Sequence, residues 1–174
     1  MSQPTSAHEQ PTLLHPARGY ADQPMPLAGR AALSAGFATA IAGGALAARR
    51  AGLRIPERLD TGDVLAAGVA TYKLARIISK DKVTTFARAP FTEYQERAGR
   101  GEVEEAPRGG TFRRAVGELL TCPYCLGVWI ASGFVGGLVA APRQTRMVIA
   151  AVDVVALSDG LQMLDRAAAR TLMD

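Results

Sequence analysis

Aromatic side chains are scarce in this chain: one Trp, four Tyr and five Phe make up 6% of its 174 residues. Water-soluble cores lean on such residues, each of which buries roughly 150–250 Å². The 48% hydrophobic content comes instead from small side chains, 32 of them Ala, which excludes a bulky globular core. Cysteine is nearly absent, and Cys122 with Cys125 alone cannot form the framework of a disulfide-stapled secreted domain. The two histidines, His8 and His15, sit in a Pro-rich polar N-terminal stretch and read as solvated side chains without a role. Gly-rich phosphate loops, internal repeats and strand-like alternation are missing as well, so sheet-based nucleotide binding has no support. The net charge of +4 is spread over basic residues scattered among acids, without interleaved aromatics. Nucleic acid is therefore not an expected partner.

The chain does contain long runs without charge. Residues 31–48 form an 18-residue run bracketed by Arg30 and by Arg49 with Arg50, long enough for a first membrane anchor spanning about 29–50. Some 30 residues precede it and lack the short basic segment of a signal peptide, so the anchor is read as uncleaved. Residues 119–142 form the longest run, 24 uncharged positions between Glu118 and Arg143. Two further spans are expected at 63–79 and 147–164, although the former carries Lys73 and Arg76 and the latter Asp153 and Asp159. The predicted architecture is an all-α integral membrane bundle of about four transmembrane helices. A disordered tail over 1–28, a cytoplasmic loop over 80–118 and a C-terminal tail over 166–174 complete it.

Charge sets the expected orientation. With four spans, 12 Lys and Arg fall on the side of the termini and the 80–118 loop, and 6 on the other. The positive-inside rule then places both termini in the cytoplasm of a bacterial inner-membrane protein. The second and fourth spans run in the same direction. At about 1.5 Å per residue, Lys73 and Arg76 lie roughly 16 and 21 Å along one and Asp159 roughly 18 Å along the other. A carboxylate inside a bilayer costs roughly 2.5–3.5 kcal/mol unless it is matched. Asp159 is therefore expected to pair with Lys73 or Arg76, and Asp153 to need a partner of its own. Ser132, Gly133, Gly136 and Gly137 form two overlapping small-xxx-small pairs that suit close helix packing, within the chain or against a second copy.

Cys122-Pro123-Tyr124-Cys125 stands at the mouth of the third span. Three readings remain open for it: a structural role where the helix begins, half of a zinc or iron–sulfur site completed by assembly with another copy, or thiol redox chemistry. No resident cofactor follows from the sequence, and no catalytic constellation appears. The expected role is accordingly structural or interactive, with lipid and a second membrane-protein chain as partners. The alternatives are a thiol or metal protein using Cys122 and Cys125, and an oligomeric channel or transporter using the four intramembrane charges.

Several stretches carry a resemblance. They are Arg88-Ala89-Pro90-Phe91-Thr92, Gly101-Glu102-Val103-Glu104-Glu105, Arg76 followed by Asp81-Lys82-Val83-Thr84, and above all the run from Gly117-Glu118-Leu119-Leu120 through Cys122 and Cys125 to Trp129. Together they resemble the domain of unknown function 1360 family of small bacterial membrane proteins over about 60–165. The resemblance implies a multi-pass membrane protein and no particular activity.

Overall fold

A computed structural model describes residues 20, 25–99 and 101–171. The expected disordered tail, with His8 and His15, lies almost wholly outside these residues. The described chain is 75% helical, with six helices. In order they are α1 (Leu27–Arg50), α2 (Thr61–Lys80), a single 3-10 turn (Lys82–Thr84), α3 (Thr85–Arg88), strands β1 (Thr92–Gly99) and β2 (Glu102–Pro107), α4 (Thr111–Thr121), α5 (Pro123–Ala140) and α6 (Pro142–Thr171).

Local chemistry sets the boundaries. Asp60 caps α2, its Oδ1 accepting from the amides of Gly62 (2.8 Å) and Asp63 (3.4 Å). Pro123 and Pro142 occupy first-turn positions, where a missing N–H costs nothing, and they divide the long apolar stretch into α4, α5 and α6. The expected third span of 119–142 thus breaks at Cys122, with its first residues belonging to the amphipathic α4. Three helices, α1, α5 and α6, are long and apolar enough to cross a membrane; the charges of α2 leave it outside that set.

Helix directions follow from pairs of contacts. Asp63 meets Arg146, and Lys73 meets Asp159, so α2 and α6 run parallel. Helix α5 runs against them. The core between the three holds Ala67, Ala70, Phe134, Leu138 and Ile149. Helix α1 runs alongside α5, with the Phe37 and Trp129 rings edge to face at 5.0 Å. None of the apolar window of α1 is buried by the rest of the chain.

The 80–118 segment corrects the expectation of an open loop and of a fold without strands. β1 and β2 form an antiparallel hairpin with two irregularities in register. Gly99 and Gly101 bracket its turn at φ of 83° and 82°, a region that L side chains avoid. The hairpin escaped the sequence reading because its inward positions alternate one apolar side chain with one acid, Val103 and Glu105, both buried.

Close backbone approach occurs at glycines other than those expected. A Cβ on Gly117 would lie 2.5 Å from the Phe91 carbonyl oxygen, and one on Gly29 would lie 2.5 Å from that of Thr111. Gly117→Ala is therefore expected to cost about 1–3 kcal/mol by overpacking, seen as a lower thermal unfolding midpoint of the purified protein. Gly133→Ala, whose Cβ meets nothing within 4 Å, should hold or raise that midpoint, since Ala is better than Gly in a helix by about 1 kcal/mol.

Candidate functional site

Lys73, Arg76 and Lys80 recur at helical spacing on α2, so they share one face. An acid meets each of them. Lys73, itself buried, places Nζ 2.6 Å from Oδ2 of Asp159 on α6. Arg76 donates to Glu102 at 2.5 Å and Lys80 to Glu104 at 2.7 Å, both on β2. Of the two cations considered for Asp159, the structure brings it Lys73, while Arg76 turns to the hairpin.

The last carbonyls of α2 would otherwise be orphans. Thr84 Oγ1 donates to Ile77 O at 2.6 Å, and Arg88 Nη1 donates to Ile78 O at 2.6 Å. Arg88 also donates through Nε to Glu105 at 2.5 Å, and through Nη2 to Asp81 O at 3.1 Å. The side chains of Arg88 and Glu105 are only 1% and 2% exposed. A guanidinium at a helix C-terminus also matches the negative end of the dipole. Single-residue reading passed over Arg88 and Glu105. The available signal was three glutamates at 102, 104 and 105 facing a surplus of cations at 73, 76, 80 and 88.

The Lys73–Asp159 and Arg76–Glu102 pairs wall a cleft of about 800 Å³ where α2, α6 and the hairpin meet, lined also by Asp81 and Arg166 among others. Burial pushes the Asp81 carboxyl above the ordinary carboxylate range, against the opposing pull of Lys73. Farther along α6, Asp153 Oδ1 is buried and, among the described residues, has no hydrogen-bond partner.

The two cysteines are free and stand apart from this cleft. Cys122 is the N-cap of α5, its Sγ accepting from the Cys125 amide at 3.2 Å. Beside them Arg30 of α1 donates to Glu118 of α4 at 2.8 Å. Among the described residues, no group of three or more His, Cys, Asp or Glu side chains is arranged to hold a metal. Of the small-residue positions on α5, Ser132 donates to its own helix at Val128 O, and Gly133 and Gly136 face nothing within 4 Å. Gly137 meets Thr145 of α6, where a Cβ would come within 2.6 Å of its hydroxyl.

Residues 66–164, more than half of the chain and including the α2 ladder, the hairpin and the cysteine pair, match the model of the family described as "Protein of unknown function (DUF1360)". The chain belongs to that family. It is also similar to "Sporulation protein YjcA" of Bacillus subtilis (strain 168), with 26% identity over 104 residues, 58% of this chain and 88% of the relative. No solved structure matches it. Helix α1 precedes the matched region, so its contacts through Arg30 and Phe37 join a segment outside the family match to one inside it.

The buried Arg88–Glu105 pair should dominate the stability of the hairpin. Glu105→Gln leaves a buried guanidinium unmatched and is expected to cost about 3–5 kcal/mol. Glu104→Gln, at a side chain 45% exposed, should cost about 1 kcal/mol or less. Thermal unfolding of the two purified variants side by side checks the ranking.

Proposed function

We propose that this is a multi-pass bacterial inner-membrane protein in which α1, α2, α5 and α6 all cross the bilayer. Its role is structural or interactive: it holds the 80–107 segment as a rigid cytoplasmic platform against the end of α2. One observation carries the reading. Large apolar side chains point outward on the bundle, among them Val64, Leu65 and Val69 of α2, Val135 of α5, and Val154, Leu157 and Leu161 of α6. The charges on α2 turn inward to partners instead. An apolar exterior of this extent is a liability in water and the favoured surface in lipid.

Helix α2 fits a crossing because its cations do not face lipid. Lys73 is matched by Asp159 within the bundle, and Arg76 and Lys80 lie in its last turns, within reach of acids at the membrane surface. The two-to-one excess of Lys and Arg on the side of the termini and hairpin supports a cytoplasmic location for that side. The outward-facing β1, exposed at every position after Thr92, is the surface offered to a partner protein. The name of the Bacillus relative makes spore formation the first setting in which to seek that partner.

The reading predicts that alkaline carbonate leaves the protein in the membrane pellet. In a cysteine-free background, a single cysteine at Glu57→Cys should label from outside intact cells, whereas one at Arg108→Cys should label only after permeabilisation. Labelling of both positions from one side would show that α2 does not cross.

A further inference from the structure

The N-terminus of α5 has the parts of a thiol redox centre. Cys122 is the capping residue, Pro123 fills the first helical position and Cys125 follows on the same turn. Cys122 and Cys125 stand three residues apart at the start of one helix, the spacing of Cys-x-x-Cys dithiols. The Cys125 amide donates to Cys122 Sγ at 3.2 Å, and the positive end of an 18-residue helix lies behind that sulfur. Two thiols thus share the first turn of a helix without the strand-linked fold that usually houses a redox dithiol.

A second feature says what such a dithiol would meet. Both cysteines line a largely apolar, open-sided cavity of about 640 Å³, bordered by Leu33 and Phe37 of α1 and by Val128 and Trp129 of α5. Trp129 and Phe37 set two aromatic rings in that wall, and Arg30 brings a guanidinium to it. The space suits a flat, apolar ring with polar oxygens at its edge. It opens among helices that the proposed function places in lipid. A dithiol gives up two electrons and two protons, and an isoprenoid quinone is an apolar ring that accepts both.

We infer that Cys122 and Cys125 form a dithiol–disulfide couple that reduces a membrane quinone bound in the cavity between α1, α4 and α5. In the reaction both S–H bonds break and one S–S bond forms. The two electrons enter the quinone ring and the two protons end on its oxygens, giving one quinol and one disulfide. Arg30, paired with Glu118, lines the same cavity. The proposal uses the membrane reading only to explain how the quinone arrives, so it is tested with a short-chain quinone in detergent, and membrane extraction reports on the other reading separately.

The full-length protein is purified in detergent, reduced, freed of reductant without oxygen and mixed with ubiquinone-1. The expected result is a loss of 2 Da and of two maleimide-reactive thiols per chain, with one quinol formed per disulfide. Cys122→Ser and Cys125→Ser should each abolish quinol formation. Leu33→Trp fills the cavity from its α1 wall; it should slow the quinone reaction at least tenfold relative to the oxidation of the same dithiol by hydroxyethyl disulfide. Thiols that stay reduced in ubiquinone-1 overturn the proposal, whether or not hydroxyethyl disulfide oxidises them. So does an equal quinone rate in the wild type and Leu33→Trp.

Discussion

Lys73 against Asp159 is the contact on which the arrangement of the bundle turns. A buried ammonium on a mostly apolar helix is tolerable only with an acid at the same depth, and the acid here sits on α6. That requirement sets α6 parallel to α2 and fixes their register, with Asp63 and Arg146 closing the seam one end below. It also orients the remaining cations. Once Lys73 faces α6, Arg76 and Lys80 continue up the same side and reach Glu102 and Glu104, so the hairpin has one place to dock. Arg88 finishes the series by binding Glu105 and the free carbonyls at the end of α2. A ladder of cation–acid pairs thus runs from the bundle interior into the folded 80–107 segment.

The parts legible in the sequence were those governed by hydropathy and by one-dimensional depth. The apolar runs at 31–48 and 119–142 announced α1 and α5, and counting residues along two parallel helices put Asp159 at a depth similar to that of Lys73 and Arg76. The hairpin was illegible because its fold rests on ion pairs: β2 buries Glu105 where a strand pattern would call for an apolar residue. The small-residue spacing on α5 pointed to packing, and Gly137 meets Thr145 closely, whereas close contacts with backbone lie at Gly29 and Gly117, where a neighbouring carbonyl and not a residue spacing makes glycine necessary. No local pattern can announce that, since the partner backbone is more than 20 residues away in sequence.

Helix α1 gives the chain something that the matched region 66–164 lacks by itself. It covers the N-terminus of α5 with Phe37 against Trp129 and ties itself to α4 through Arg30 and Glu118. In doing so it turns a cysteine pair on a helix end into one wall of an open-sided, largely apolar cavity. The charged cleft and the cysteine-lined cavity have no lining residue in common.

The central claim is that α2 is held in the bundle by charge matching, and a double-mutant cycle at Lys73 and Asp159 tests it most directly. Lys73→Met, Asp159→Leu and the double variant are compared with the wild type by thermal unfolding of the purified protein. The account predicts that each single change lowers the midpoint sharply, because it leaves a charge unmatched, and that the double variant recovers most of the loss. Additive losses in the double variant, or single variants that unfold like the wild type, would contradict it.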